Sequence, residues 1–165
     1  MNYKEKLAKL GVFVPNVLLP NKNIDYSKYA VLACDQYAAQ PEYWENVRTY
    51  VGESASTLHM TLPEAWLLSG DRDYSKRAAA MEKYLSDGTL EEIGEGFIFT
   101  ERDTPDGTRY GLVSAFDLEQ YDYNPGSDNL IKVTEKTDIT RIVPRVEIRK
   151  KAPLELPHVL MLIVD

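Results

Sequence analysis

The chain has 165 residues, of which 44% are hydrophobic and 27% are charged, and its net charge is −7. This length and composition predict one globular domain over residues 1–165 with a single core. The acidic balance argues against general nucleic-acid binding, which depends on a broad basic face that neutralises phosphates.

Three features of the sequence favour a cytoplasmic location. The longest aliphatic run, Val159 to Val164, is far below the roughly 18 to 20 apolar residues that cross a bilayer. The opening "MNYKEKLAKLGVFVP" has charges where a signal peptide keeps its apolar centre, so neither a membrane nor an export route is expected. A single cysteine, Cys34, cannot form an internal disulfide and fits a reducing compartment.

The first half of the chain predicts alternating helices and strands. "NYKEKLAKLG" has Asn2 as N-cap and Gly11 as its stop, and predicts a short helix. "YAVLACD" and "STLHMTL" are apolar stretches of strand length. "QPEYWENVRTYVG" predicts a helix that begins at Pro41, and "DYSKRAAAMEKYLSDG" one that begins at Asp73 with Ala78, Met81 and Leu85 inward.

The second half predicts mainly strands. "GFIFTERDTPDGTRYGLVSAFDL" reads as two strands joined at Thr104 to Thr108, where Pro-Asp-Gly supplies the turn of a β-hairpin. "EQYDYNPGSDN" indicates a loop, and "LIKVTEK" and "PHVLMLIVD" indicate further strands. We therefore expect an α+β or mixed α/β fold: a mixed sheet with an antiparallel hairpin and flanking helices.

Positive charge is concentrated in one late segment. Residues 132–151 hold seven Lys or Arg against three Asp or Glu, so this segment carries +4 and the remainder −11. On a continuous helix Arg141, Arg145 and Arg149 would share a face that suits phosphate or carboxylate. Pro144 makes a strand followed by a helix from Pro144 equally consistent. The arginines either pair with the acidic surface or form the phosphate side of a ligand site.

Two other segments carry candidate ligand groups. "FDLEQYDY" offers Asp117 and Glu119, hard oxygen ligands that could hold Mg²⁺ beside a phosphate, or simply a solvated acidic loop. "ACDQY" brings Cys34 and Asp35 to the end of a predicted strand, where Asp35 could act as base or ligand. Cys34 is more simply a small buried hydrophobe.

Several common sites are not predicted. His59 and His158 lack metal-ligand spacing, and no C-x-x-C or H-E-x-x-H occurs, so no zinc is expected. Neither G-x-G-x-x-G nor G-x-x-x-x-G-K-[ST] is present. A bound nucleotide would therefore not use either common glycine loop.

The chain from residue 18 onward resembles the prokaryotic family called domain of unknown function 1015. The resemblance rests on specific short segments: Ala33-Cys34-Asp35-Gln36, Tyr43-Trp44, Ser56-Thr57-Leu58-His59, Arg109 with Gly111-Leu112, Asp117-Leu118-Glu119, Thr134-Glu135 with Thr137, Pro144-Arg145 and Leu156-Pro157-His158. It implies a cytosolic protein without a known cofactor. Family members are over twice as long, so we expect this chain to be an N-terminal portion. Many members have glycine where this sequence has Lys136.

The region of Glu135, Thr137 and Arg145 is also similar to a phosphate-handling motif of the ParB and sulfiredoxin-like group, which includes free-serine kinases. Together these features give two hypotheses. The first is an enzyme acting on a small anionic metabolite or nucleotide, as in phosphotransfer. The second is a non-catalytic module that senses a ligand or binds an acidic partner surface.

The enzyme hypothesis assigns a role to each residue. Arg141 and Arg145 hold phosphate, and Thr134 and Thr137 donate hydrogen bonds to it. Glu135 serves as base or metal ligand, and Asp35 orients the substrate. The sequence does not specify the oligomeric state.

Overall fold

The structure is a computed structural model that describes residues 2–122, 124, 126–132, 138–156 and 161. The chain divides into two compact units. The first comprises Met1–Leu19 and Glu92–Lys136, and the second comprises Pro20–Glu91 and Thr137–Asp165. Helices and short strand pairs occur together, so the predicted α+β class is confirmed.

Six helices lie in the described residues: α1 (Tyr3–Ala8), α2 (Tyr26–Tyr29), α3 (Pro41–Val51), α4 (Glu64–Leu68), α5 (Tyr74–Ser86) and α6 (Ile139–Arg149). The strands are β1 (Val12–Phe13), β2 (Asn16–Pro20), β3 (Leu90–Glu95), β4 (Ile98–Thr104), β5 (Gly107–Val113), β6 (Ala115–Phe116), β7 (Tyr121–Asp122) and β8 (Ile131–Lys132). The described strands form four pairs, β1 with β6, β2 with β3, β4 with β5 and β7 with β8, rather than the one mixed sheet expected. None of the described helices is both long enough and apolar enough to cross a membrane.

The first unit contains the predicted first helix and the hairpin. Asn2 and Glu5 form a reciprocal capping box at the start of α1, as the N-cap prediction required. β4 and β5 pair antiparallel from Ile98 opposite Val113 to the turn that ends at Gly107. Gly107 has a φ of +123°, a conformation that side chains rarely adopt, which explains the glycine after Pro-Asp.

The core of the second unit forms around Trp44. Pro41 begins α3 as predicted, and Trp44 and Val51 lie one behind the other on its buried side. Leu58 and Ala65 complete a cluster in which every member is at most 2% exposed. The Trp44 indole donates a hydrogen bond to the Gln36 carbonyl at 3.0 Å, so its one polar group is satisfied.

A buried hydrogen-bond network joins α5 to the segment before α4. The Ser56 N–H donates to the Tyr84 hydroxyl oxygen at 2.9 Å, and the Tyr84 hydroxyl donates back to the Ser56 carbonyl at 3.3 Å. The Ser56 hydroxyl donates to the Tyr29 carbonyl at 3.1 Å. Tyr84 and Arg77 are buried on α5 with Ala78 and Met81, whereas Leu85, which was predicted to point inward, is 37% exposed.

Two predicted strands are not formed. Residues 30–33 of "YAVLACD" have no regular structure and turns follow from Cys34, while "STLHMTL" contains a 3₁₀ helix, Thr57–His59. Side chains provide the partners that a strand neighbour would have given: the Val31 N–H donates to the Thr57 hydroxyl at 3.3 Å. The stretch "PHVLMLIVD" lies almost wholly outside the described residues.

Candidate functional site

The three arginines lie on helix α6 at intervals of four residues, about one helical turn apart. Asp138 caps the helix, since its carboxylate accepts from the Thr140 N–H at 2.9 Å, and this bond lowers the pKa of Asp138. The helix then continues through Pro144 to Arg149. Of the two arrangements that the sequence left open, the continuous helix is therefore the one observed. Because proline has no N–H, the helix lacks only the backbone hydrogen bond from Pro144 to the carbonyl of the residue four positions earlier.

The three arginines differ in their partners. Arg141 Nη2 lies 3.2 Å from Glu64 Oε1, and Arg149 forms a two-pronged pair with Glu155. Arg145 Nη1 donates to the Arg141 carbonyl at 2.7 Å. Within the described part of the chain, Arg145 has no carboxylate at ion-pair distance. Among the described residues, Arg145 is therefore the one arginine of this face whose charge is not paired.

Glu64, the first residue of α4, stands opposite α6. Its backbone N–H donates to the Cys34 carbonyl at 2.7 Å, and its side chain is only 13% exposed. Oε1 faces Arg141, whereas Oε2 is buried without a hydrogen-bond donor among the described residues. A buried carboxylate oxygen in this state can accept a hydrogen bond from a ligand.

The pKa of the Cys34 thiol depends on its burial and on the charged groups around it. Burial raises the pKa of Cys34, the positive charge of Arg145 lowers it, and Asp35 and Glu64 raise it. Arg145 and Glu64 therefore both lie close enough to affect the same thiol. Cys34 itself is half-buried and free. Because burial opposes ionisation, the thiol is a poor nucleophile at neutral pH.

We call Cys34, Asp35, Glu64, Arg141 and Arg145 the arginine site. Three of these, Asp35, Arg141 and Arg145, were predicted from the sequence, and the structure brings them into the same part of the second unit. Glu64 was not predicted. Its signal was local: an acidic residue directly after Pro63, at the first position of a helix, where a carboxylate is favoured.

The remaining predicted residues lie elsewhere or are not described. Thr134, Glu135 and Thr137 fall outside the described residues. Asp117 and Glu119 belong to the first unit, where the Asp117 carboxylate accepts from the Glu119 N–H at 3.0 Å and caps a 3₁₀ helix, Leu118–Gln120. Over the described ranges, no group of three or more His, Cys, Asp or Glu is placed to hold a metal ion.

Comparison with known proteins gives one match. The family model described as "Protein of unknown function (DUF1015)" matches residues 18–165. No similar protein was found among curated proteins, and none among solved structures. Since the matched residues make up most of the sequence, the chain belongs to the DUF1015 family of proteins of unknown function.

Proposed function

We propose that the arginine site binds a small anionic metabolite that also carries an ammonium or hydroxyl group. One observation carries the proposal: Arg145 lies one turn along α6 from Arg141, the partner of Glu64, and among the described residues neither Arg145 has a carboxylate partner nor the buried Glu64 Oε2 a donor. A ligand with both an anionic and a donor group satisfies both.

The fixed parts of the site favour this arrangement. Arg141 engages Glu64 Oε1, and Oε2 has no donor among the described residues. An unsatisfied buried polar atom costs about 1–3 kcal/mol, so a ligand donor that reaches Oε2 gains part of this free energy on binding. The guanidinium of Arg145 presents a fork of donors that matches a phosphate or a carboxylate.

We extend the proposal to phosphoryl transfer: the ligand's hydroxyl oxygen bonds to the terminal phosphorus of a nucleoside triphosphate, the bond from that phosphorus to the bridging oxygen breaks, the nucleoside diphosphate leaves, and the hydroxyl proton passes to solvent. Arg145 would stabilise charge on the phosphate, and Asp35, which is exposed next to Cys34, would orient the substrate. Guanidinium groups that stabilise phosphoryl charge and carboxylates that position the nucleophile are common means of such transfer.

A second candidate is a non-catalytic sensing or interaction module. Helix α6 favours it, because the same helix exposes four aliphatic side chains by 37–72%: Ile139, Ile142, Val143 and Val146. Exposed apolar groups next to cations suit a partner surface. Turnover separates the two candidates, because only an enzyme converts the ligand that it binds.

A thermal-shift series tests the binding proposal. The probes are inorganic phosphate, ATP, ADP and phosphoserine, each with and without Mg²⁺ at fixed ionic strength. A probe at 100 times its dissociation constant adds about 2.7 kcal/mol to the free energy of unfolding. We expect a selective shift that Arg145→Ala reduces and Arg149→Ala, the matched control, retains. A flat series, or a shift that Arg145→Ala leaves intact, contradicts the proposal.

A further inference from the structure

The second unit holds a cavity of about 270 Å³ that shares no lining residue with the arginine site. Helix α3, helix α4 and the start of α5 supply most of its wall. The lining residues that matter here are Arg48, Leu58, Trp66, Lys76 and Arg77. Ligand cavities for drug-sized molecules span roughly 300–1,000 Å³, so this one suits a smaller molecule.

Two lining residues carry buried N–H groups without a partner. The Arg77 side chain is 5% exposed, and its Nη2 pairs with Asp71 at 3.0 Å, but its Nε has no acceptor among the described residues. The Trp66 Nε1 is likewise buried, and no partner for it occurs in the part of the chain that the structure describes. The Arg77 guanidinium lies 5.5 Å from the centroid of the Trp66 ring, so the two side chains that carry these donors are neighbours.

Both of these groups can donate a hydrogen bond but cannot accept one. A guanidinium Nε and an indole Nε1 have no lone pair to offer, so each can be satisfied only by an acceptor. The other tryptophan shows the usual outcome, since the Trp44 N–H donates to a carbonyl at 3.0 Å. The N–H groups of Arg77 Nε and Trp66 Nε1 therefore each need a hydrogen-bond acceptor that the described residues do not provide.

The charges of the wall add a preference for an anion. Its two carboxylates are already engaged, Glu45 with Arg48 and Asp71 with Arg77. Lys76 is exposed and has no acidic side chain at ion-pair distance in the described part of the chain. The wall, which also includes Trp66 and Arg77, consequently keeps one positive charge in excess.

We propose that this cavity is a second binding site, specific for a small oxyanion, a phosphate or a carboxylate group. The oxyanion accepts hydrogen bonds from Arg77 Nε and Trp66 Nε1, and Lys76 balances its charge. Leu58 and the face of the Trp66 ring offer an apolar side for the rest of the ligand. This proposal is independent of the one made for the arginine site.

The two tryptophans provide a direct test by nuclear magnetic resonance. The chain has two indole N–H signals, and Trp66→Phe assigns them. The ¹⁵N-labelled protein is titrated with sodium phosphate, with sodium acetate and, at matched ionic strength, with sodium chloride. We expect phosphate, acetate or both to move the Trp66 signal saturably, while the Trp44 signal stays and chloride has no effect.

Variants distinguish this site from alternatives. Lys76→Ala changes an exposed residue and should weaken the affinity of the active probe at least fivefold. Lys83→Ala, farther along the same helix and paired with Asp87, is the matched control and should match the wild type. Arg145→Ala should leave the Trp66 response unchanged, so failure of the arginine site is seen separately.

The proposal is overturned if neither phosphate nor acetate moves the Trp66 signal, or if chloride moves it equally. It is also overturned if Lys76→Ala binds the active probe as the wild type does. A response to phosphate alone, or to acetate alone, supports the site and fixes which oxyanion it takes.

Discussion

Glu64 and Arg141 join α4 to α6, with Oε1 and Nη2 3.2 Å apart and the carboxylate largely buried. Helix α6 has no buried residue among those described. This ion pair is therefore an important specific contact between α4 and α6. Arg145 lies one turn farther along α6 on the same face as Arg141, so this contact helps to position its charge.

The Glu64–Arg141 pair should show measurable coupling in stability. Arg141 is 56% exposed, so solvent screens the pair, and we expect a coupling free energy of about 1 kcal/mol. A double-mutant cycle of Glu64→Gln and Arg141→Met, measured by urea unfolding, gives this value. The exposed pair of Glu147 and Lys150 is the control and should give about 0.3 kcal/mol or less. Equal coupling in the two cycles contradicts the structural role.

The reactivity of Cys34 should report the charge of Arg145. Arg145 lowers the pKa of the Cys34 thiol against the larger effect of burial, so Arg145→Ala should raise this pKa further. At any pH below the pKa the thiolate fraction then falls, and alkylation by iodoacetamide slows. The sole cysteine makes the rate easy to assign.

The matched control for this experiment is Arg149→Ala, because Arg149 pairs with Glu155. It should leave the pH profile of alkylation unchanged. Faster alkylation in Arg145→Ala, or the same change in both variants, would show that Arg145 does not act on Cys34.

Tyr84 should contribute to stability through its hydroxyl. Tyr84→Phe leaves the Ser56 N–H, which is fully buried, without its partner, and should lower the free energy of unfolding by about 1–3 kcal/mol. Chemical denaturation at neutral pH measures this loss. A loss below about 0.5 kcal/mol would mean that the backbone group finds another partner.

Stability should also fall at alkaline pH. Burial raises the pKa of Tyr84 above its ordinary value of 10.0, so above about pH 10 the unfolded chain binds fewer protons than the folded one. Ionisation of Tyr84 does not change the free energy of unfolding below that pH, and the free energy of unfolding declines as pH rises toward the folded-state pKa. Tyr84→Phe should make the decline shallower, and an identical slope would contradict this assignment.

Gly107 and Gly96 form a matched pair for testing backbone strain. A Cβ at either position would meet nothing within 4 Å, but Gly107 has a φ of +123° whereas the φ of Gly96 lies outside the strained range. Gly107→Ala should destabilise the protein by about 1 kcal/mol or more, and Gly96→Ala should not. Thermal unfolding of both variants measures the difference, and equal midpoints would contradict the strained turn.

Local signals predicted the elements whose ends are fixed by single residues. Asn2 and Asp73 cap α1 and α5, Pro41 begins α3, and the Pro-Asp-Gly turn closes the hairpin. The strand predicted from Tyr29 is not formed: Tyr29 ends α2, and Leu32 is 48% exposed, so the apolar run predicted neither the conformation nor the full burial of this segment. Val31 packs against the core as an irregular segment whose backbone bonds to a side chain.

The sequence predicted the arginines of the candidate site but not the carboxylate that pairs with one of them. The spacing of Arg141 and Arg145 was visible in the sequence, but whether a helix passes through Pro144 depends on the cap at Asp138 and on packing. The partner of Arg141 could not be predicted, since Glu64 is distant in sequence. That contact is tertiary, and no local pattern encodes it.

The central claim, that Arg145 and Glu64 bind a small anion with a donor group, is tested most directly by calorimetric titration with phosphoserine. This probe offers a phosphate to Arg145 and an ammonium group to Glu64 Oε2. The account predicts saturable binding that Arg145→Ala weakens at least tenfold, about 1.4 kcal/mol, while Arg149→Ala binds as the wild type does. Equal affinity in the two variants, or no heat of binding in the wild-type protein, would contradict the claim.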